Sequence, residues 1–207
     1  MRVDTDQYCF NNKKRSGCVS NRSTVKVVVV GGQGYVGLPL AIETATAGYV
    51  TTGLDLDLDV VASLSSGISH IDDISDDQIR AALARGGYRA SAEAAVLAQA
   101  DIVVICVPTP LSADGSPDMA AVEKAVGGET ARLAKPGVLV ILESTTYPGT
   151  TDNLVRPALE ASGREIDRDF FLAFSPERID PGNQHYTIRN TPKNRRWGGD
   201  GRIDTAC

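Results

Sequence analysis

The chain has 207 residues, 42% of them hydrophobic and 23% charged, and its 21 basic and 26 acidic side chains give a net charge of −5. This is the composition of a globular protein large enough to bury its own core, and its mild acidity argues against nucleic acid or an anionic membrane as a partner. No apolar run reaches the roughly 20 residues that cross a bilayer, so we expect a protein that binds no nucleic acid and enters no membrane.

Short apolar runs alternate with segments of helical spacing along most of the chain. Short apolar runs are typical of parallel strands buried on both faces, and helical spacing is typical of the helices that connect such strands. The alternation predicts an α/β fold, namely a doubly wound parallel sheet of the Rossmann type with helices on both faces. In chain order the predicted elements are a strand at 25–30, a helix at 38–47, a strand at 49–54, helices at 58–67, 75–85 and 91–99, a strand at 101–107, a helix at 118–134, a strand at 138–142, a helix ending at 159 and a strand at 170–174.

A glycine-rich segment joins the first predicted strand to the first predicted helix. Gly32, Gly34 and Gly37 form the pattern GxGxxG, with Tyr35 and Val36 between the last two. In this context the first glycine permits a tight turn, the second lets backbone N–H groups approach a pyrophosphate, and the third lets helix and strand pack closely. The helix N-terminus adds partial positive charge. These five residues are therefore predicted to bind a dinucleotide.

Two further residues belong to the predicted cofactor site. Asp55 ends the second strand about 20 residues after the glycines, which is the spacing of an acid that binds the adenosine ribose. Its carboxylate would accept both ribose hydroxyls and repel a 2′-phosphate, which favours NAD over NADP. Thr109, between two prolines at the end of another strand, is expected to border the cofactor. The alternatives are a glycine turn that binds nothing and a plain turn threonine.

The cysteines and histidines give no sign of a metal site. Cys9, Cys18, Cys106 and Cys207 form neither a CxxC pair nor a compact framework, which indicates a reducing compartment, and we expect a cytoplasmic protein. Neither histidine has a metal-ligand partner at usable spacing.

Both ends of the chain differ in composition from its middle. Residues 1–24 are polar and lack the apolar core of a secretion signal, so we expect a disordered extension. Residues 25–193 are expected to form the NAD-binding domain. Beyond Lys193 the sequence becomes polar and rich in glycine, and we expect 194–207 to be a disordered or non-native tail.

Four motifs follow one another along the chain, each near the end of a predicted strand. They are Gly-Tyr-Val-Gly-Leu-Pro-Leu-Ala at 34–41, Cys-Val-Pro-Thr-Pro-Leu at 106–111, Glu-Ser-Thr-Thr-Tyr-Pro-Gly-Thr-Thr at 143–151 and Phe-Ser-Pro-Glu-Arg-Ile-Asp-Pro-Gly-Asn at 174–183. In this order they resemble the UDP-glucose/GDP-mannose dehydrogenase family over about 25–193. The last motif is similar to the branch of that family that acts on UDP-N-acetylhexosamines.

The resemblance implies an activity and a role for particular residues. The activity is NAD-dependent oxidation of the C6 alcohol of a UDP-N-acetylhexosamine, with UDP-N-acetylglucosamine favoured, to the carboxylate in two hydride transfers through a cysteine thioester. Thr145 matches a threonine that borders the nicotinamide and helps to hold the hydrolytic water, and Glu177 matches the carboxylate that activates it. Arg178 and Ile179 match positions that contact the nucleotide sugar. A homodimer is implied for the full-length parent.

Three features depart from the family pattern. Val60 stands where many relatives have a basic residue near the adenosine ribose. The family's nucleophile lies in a later Gly-Gly-Ser-Cys-like motif that is not among these 207 residues, and Cys106 is no substitute because it is predicted to lie inside a strand. Residues 194–198 differ from the family's continuation, for which a shifted reading frame is one hypothesis. We therefore expect a chain that is truncated before the catalytic cysteine and that is inactive by itself.

Alternative functions remain open on the sequence alone. One is a stand-alone NAD-binding module or an inert fragment. Another is a dehydrogenase of UDP-N-acetylmannosamine or UDP-glucose. A 2-hydroxy or β-hydroxy acid dehydrogenase would have the same sheet but would lack the motif at 143–151.

Overall fold

Seven strands form one sheet in the computed structural model, which describes residues 22–31 and 33–177 and the backbone of 196–198. In chain order the strands are β1 (Lys26–Val30), β2 (Val50–Leu54), β3 (Tyr88–Ser91), β4 (Ile102–Ile105), β5 (Val138–Leu142), β6 (Phe170–Phe174) and β7 (Arg196–Gly198). Across the sheet their order is β3-β2-β1-β4-β5-β6-β7, with β7 antiparallel to β6 and all other pairs parallel. This is the doubly wound Rossmann order, and the predicted fold class is confirmed.

Helices connect the strands on both faces of the sheet. They are α1 (Gly37–Thr46), α2 (Leu58–Ser65), α3 (Asp76–Ala84), a 3₁₀ helix (Ala94–Gln99), α4 (Ala120–Glu123) continued by a π-helical segment (Lys124–Thr130) and α5 (Ala131–Leu133), and a second π-helical segment (Thr151–Val155) continued by α6 (Arg156–Glu160). None of the helices in the described part of the chain is long and apolar enough to cross a membrane.

Polar side chains set the starts of α2 and α3. The Asp57 carboxylate accepts hydrogen bonds from the N–H groups of Asp59 and Val60, at 3.0 and 3.2 Å. Ser75 and Gln78 form a reciprocal capping box at the start of α3. Both caps satisfy N–H groups that have no partner within the helix, which is why these helices begin close to the predicted positions.

The strand β3 is absent from the predicted elements, which place a helix at 91–99. Its sequence is Tyr-Arg-Ala-Ser, and only Tyr88 is buried, so it lacks the continuous apolar run that marks the inner strands. β3 is the outermost strand next to β2 and needs no such run. Ser91 ends β3, and the alanine-rich segment after it forms the 3₁₀ helix rather than an α-helix.

The sheet separates two hydrophobic clusters. Within β1, Val27 and Val29 point to one cluster and Val28 to the other, as expected from the alternation of side chains along a strand. Large members of the first cluster, under α1 to α3, are Leu38, Ile42, Leu64, Ile79 and Tyr88. Large members of the second, under α4 to α6, are Ile105, Val122, Leu142, Leu159, Phe170 and Leu172.

Asp101 ties three segments together at the amino ends of the strands. Its carboxylate accepts a hydrogen bond of 2.8 Å from the Lys26 N–H and contacts the Lys135 ammonium. The Lys26 side chain in turn donates to Gln99 at 2.6 Å. These exposed pairs contribute little stability but join β1 to the segments that precede β4 and β5.

Three residues of the segment that was expected to be a tail form a strand. Arg196–Gly198 pairs with β6, with Trp197 opposite Ala173. The remainder of 194–207 lies outside the described residues, as do 1–21.

Candidate functional site

The carboxyl ends of β1 and β4 lie side by side where the strand order reverses. The Cys106 N–H donates to the Val30 carbonyl at 2.9 Å, and the Gly31 N–H donates to Leu54 at 2.9 Å, so the ends of β4, β1 and β2 are held level. Doubly wound sheets bind their ligands in the crevice at this point. The site is therefore built around the segment that follows β1.

Gly31 turns the chain away from the sheet at this crevice. Its φ is +66°, and a Cβ there would lie 2.6 Å from Cγ1 of Val107. Only glycine tolerates both the left-handed backbone and the close approach. Gly32, to which the tight turn was assigned from the sequence, lies outside the described residues, and Gly31 was missed because its neighbour Val107 is far away in the sequence.

The rest of the glycine-rich loop leads directly into α1. Gly34 and Tyr35 are exposed, Val36 is half-buried, and Gly37 is the buried first residue of the helix. Val36 occupies the N-cap and makes no side-chain hydrogen bond there, and the Leu38 N–H donates to the Gly34 carbonyl at 3.0 Å. The Leu38 N–H is thereby satisfied, so an anion at this end of α1 would meet the N–H groups that precede it.

Gln33, which sequence reasoning missed, is the buried residue of the loop. It is only 1% exposed, and its Oε1 accepts a hydrogen bond of 2.7 Å from the Tyr88 hydroxyl. Burial raises the pKa of that hydroxyl well above its usual value, against the lowering effect of the Gln33 bond and together with the charge of Asp55. The phenol therefore remains protonated and donates to Gln33.

Asp55 directly follows β2, at the carboxyl ends of the strands. Its N–H donates to the Ser91 carbonyl at 3.1 Å, and its carboxylate accepts the Asp57 N–H at 3.2 Å. The side chain is half-buried, beside the turn that begins at Gly31. Val60 packs against the first hydrophobic cluster and brings no charge to the site.

The loops that follow β4 and β5 are joined by two threonines from the predicted site. The Thr109 hydroxyl donates to the Thr145 carbonyl at 2.6 Å. Beside them, the buried Ser144 hydroxyl donates to the Val107 carbonyl at 2.9 Å. Ser144 was not predicted, since its role depends on the neighbouring strand. The structure thus brings Thr109 and Thr145 together at the crevice.

The segment after β6 also lies at the carboxyl ends of the strands. The Ser175 N–H donates to Leu142 at 3.0 Å, which aligns the ends of β5 and β6, and Glu177 follows as a half-buried residue. Thr145 and Glu177 therefore follow adjacent strands. Arg178 and Ile179 lie outside the described residues. Within 22–31 and 33–177 there is no cluster of three or more His, Cys, Asp and Glu residues that could hold a metal.

The sequence is similar to one protein family and to known members of it. Residues 25–195 match the NAD binding domain of the UDP-glucose/GDP-mannose dehydrogenase family. A UDP-N-acetyl-D-mannosamine dehydrogenase of Pyrococcus horikoshii is 36% identical over 156 residues, which are 75% of this chain and 37% of that protein. A UDP-N-acetyl-D-glucosamine 6-dehydrogenase of Pseudomonas aeruginosa is 34% identical over 170 residues, which are 82% of this chain and 39% of that protein. The chain thus spans less than half the length of these relatives.

Solved structures have the same arrangement of strands and helices. The UDP-D-ManNAc dehydrogenase of Pyrococcus horikoshii superposes with a TM-score of 0.71 over 76% of this chain and 37% of that one, at 36% identity. A GDP-mannose dehydrogenase of Pseudomonas aeruginosa gives a TM-score of 0.70 over 75% of this chain and 36% of its own, but at 24% identity it supports the fold alone.

Proposed function

Since this chain belongs to the UDP-glucose/GDP-mannose dehydrogenase family and is an NAD-binding domain, we propose that it serves an enzyme that oxidises the C6 alcohol of a UDP-N-acetylhexosamine to a carboxylate. The observation that carries the proposal is the crevice at the switch point of the sheet. There the Gly31 turn, Asp55 and the joined loops of Thr109 and Thr145 all follow the carboxyl ends of strands. By family membership we also propose that the enzyme is a cytoplasmic homodimer.

The residues at the start of α1 fit the diphosphate of NAD. A Cβ at Gly31 would collide with Val107, so the chain is held close to the sheet, and the exposed loop after it leaves room for a ligand. We assign diphosphate binding to N–H groups of five residues: Gly32, Gly34, Tyr35, Val36 and Gly37. Asp55 accepts the hydroxyls of the adenosine ribose, and its charge disfavours a 2′-phosphate.

Thr145 and Glu177 serve the reacting end of the site in this proposal. Bound NAD supplies a hydride acceptor, and each of the two oxidation steps removes one hydride from C6. Thr145, whose backbone is held by Thr109, borders the nicotinamide. Glu177 accepts a proton from the water that hydrolyses the acyl intermediate, which releases the carboxylate product. The cysteine thiolate that forms this intermediate is not assigned to any residue of this chain.

The substrate class follows from the relatives. The two described above are named for UDP-N-acetyl-D-mannosamine and UDP-N-acetyl-D-glucosamine, at 36% and 34% identity, which favours an N-acetylhexosamine carried on UDP. The motif at 174–183 favours the glucosamine epimer, and the mannosamine epimer is the alternative. We assign contacts with the nucleotide sugar to Arg178 and Ile179, because a guanidinium matches a diphosphate with its planar fork.

Calorimetric titration of the 207-residue chain with NAD and NADP tests the cofactor site. We expect NAD to bind and NADP to bind at least about tenfold more weakly, because Asp55 repels the extra phosphate. Equal affinity for the two would contradict the role of Asp55. With NAD and UDP-N-acetylglucosamine together, the chain alone is expected to form no reduced nicotinamide, as judged by its absorbance.

Joining the chain to the part of the Pseudomonas aeruginosa relative that follows the matched region tests the reaction. The joined protein is expected to form two reduced cofactors for each UDP-N-acetylglucosamine, since the carboxylate requires two hydride transfers. One reduced cofactor with release of an aldehyde would contradict the proposed oxidation to the acid. Turnover of UDP-glucose in preference to both N-acetylhexosamines would contradict the substrate class.

A further inference from the structure

Gln33 links the glycine-rich loop to the outermost strand of the sheet. Its hydrogen bond with Tyr88 joins residues 55 positions apart in the sequence, at 2.7 Å. Tyr88 begins β3, whereas Gln33 follows β1, and β2 lies between those two strands. The side chain of Gln33 therefore reaches across β2 to find its partner.

A glycine in β2 makes this crossing possible. A Cβ at Gly53 would lie 2.3 Å from Nε2 of Gln33, so any larger residue would displace the amide. Gln33 is 1% exposed and Tyr88 is 3% exposed, which places the hydrogen bond in the protein interior. Gln33 thus depends on Gly53 for space and on Tyr88 for its hydrogen bond.

The buried amide has an unusual hydrogen-bonding balance. Its Oε1 is satisfied by Tyr88, but Nε2 has no hydrogen-bond partner among the described residues. Buried polar groups without partners are rare and costly, and an apolar side chain would fill the same space without that cost. The bond to Tyr88 is therefore the side-chain interaction that orients this buried amide among the described residues.

The location of the pair indicates a role for this bond. Gln33 lies between Gly32 and Gly34 of the diphosphate loop and packs against Gly53, two residues before Asp55, so the pair lies near the end of β2 that carries the ribose-binding carboxylate. We propose that Gln33 and Tyr88 are positioning residues that hold the diphosphate loop at a set distance from Asp55. The inference rests on the proposed function, because it presumes that this loop and Asp55 bind the two halves of ADP.

The proposal couples the binding of two parts of the cofactor, the diphosphate at the loop and the adenosine ribose at Asp55. A ligand that spans the loop and Asp55, such as NAD or ADP-ribose, benefits from the set distance. Adenosine, which lacks the diphosphate, contacts Asp55 but not the loop, so its binding does not depend on the distance between them. Loss of the bond is therefore expected to weaken NAD and ADP-ribose and to spare adenosine.

The test compares Tyr88→Phe, which removes one hydroxyl, with the double variant Gln33→Leu/Tyr88→Phe. Tyr49→Phe is the matched control, since Tyr49 precedes β2 at the opposite end from Asp55. Dissociation constants for NAD, ADP-ribose and adenosine are measured by calorimetry or ligand-observed NMR, and melting temperatures are recorded for each chain. Should Tyr88→Phe fail to fold, Gln33→Met carries the same expectation from the other partner.

We expect Tyr88→Phe to weaken NAD and ADP-ribose about tenfold, with adenosine changed less than about twofold, because the bond that holds the loop at its distance from Asp55 is then lost. The double variant also lacks the bond, so it is expected to bind NAD and ADP-ribose as weakly as Tyr88→Phe even though it regains stability, and Tyr49→Phe is expected to bind as the unaltered chain does. Unchanged NAD binding by Tyr88→Phe would overturn the inference. So would an equal loss for all three ligands that follows the melting temperature, since that indicates a structural role only. If the unaltered chain binds no NAD, the proposed function itself fails and the inference falls with it.

Discussion

The Thr109 hydroxyl donates a hydrogen bond of 2.6 Å to the Thr145 carbonyl, which joins the loops that follow β4 and β5. The two residues are 36 positions apart in the sequence, and each lies in a loop that follows the carboxyl end of a strand at the crevice. The bond uses the side chain of one threonine and the backbone of the other. The bond therefore restrains the Thr145 loop without using the Thr145 hydroxyl.

Thr109→Val tests this arrangement by removing the donor at nearly constant volume. We expect a destabilisation of about 1 kcal/mol and about fivefold weaker NAD binding, because the Thr145 loop loses its restraint. ADP-ribose, which lacks the nicotinamide, is expected to bind as before. Thr109→Ser retains the donor and serves as the control. Equal NAD affinity of the valine and serine variants would show that the bond does not position Thr145.

Gly31→Ala tests the turn that opens the site. The left-handed backbone costs a non-glycine residue about 1–2 kcal/mol, and the collision of the new methyl with Val107 adds to this. Gly86→Ala is the matched control, since Gly86 has a φ of +67° but nothing within 4 Å of its Cβ position. In urea denaturation we expect Gly31→Ala to lose clearly more stability than Gly86→Ala, and NAD binding to be lost only in the former. Equal losses would contradict the close contact.

Asp55→Asn tests the choice of cofactor. The amide still accepts hydrogen bonds from the ribose but carries no charge, so NAD is expected to bind about tenfold more weakly and the preference for NAD over NADP to shrink. Asp59→Asn, an exposed acid in the first turn of α2, removes the same charge close by and is expected to change neither affinity. A preference that survives in Asp55→Asn would place the source of selectivity elsewhere.

Asp169, just before β6, gives a prediction for pH. Hydrogen bonds from Arg168 and from the Glu165 N–H hold the pKa of its carboxyl below the usual value. A lowered pKa means that the ionised form stabilises the fold above the ordinary value of about 3.9 and that this contribution disappears as the pH falls through the lower folded value. The melting temperatures of Asp169→Asn and the unaltered chain should therefore differ at pH 7 and converge at low pH. The exposed Asp72→Asn serves as the control, and a difference that persisted at low pH would contradict the prediction.

The inner strands could be predicted closely from the sequence. The bounds of β5 and β6 agree with the predicted 138–142 and 170–174, because both strands are nearly continuous apolar runs between turn residues. β3 escaped prediction because a short edge strand needs no such run. Local composition therefore predicts a strand well when both of its faces are buried and poorly when it lies at the edge of the sheet.

The residues of the candidate site also fall into those that local sequence predicts and those that it does not. The glycine-rich loop and Asp55 have local signatures, whereas Gln33 depends on Tyr88 and Gly53, and Gly31 depends on Val107. Such partners meet only after the sheet has formed. A glutamine within GxGxxG and a glycine inside a strand were the available signals, but neither one identifies its partner.

The brevity and the polarity of β3 have a consequence for how copies of this protein meet. An outermost strand presents unpaired backbone groups to which a strand of another molecule can add. β3 has only four residues, and Arg89 within it is exposed, with its Nε donating to the Thr52 hydroxyl at 2.9 Å. An incoming strand would have to pair beside this fixed guanidinium along a very short edge. The margin of the sheet is thereby protected against the edge-to-edge growth that leads to aggregation.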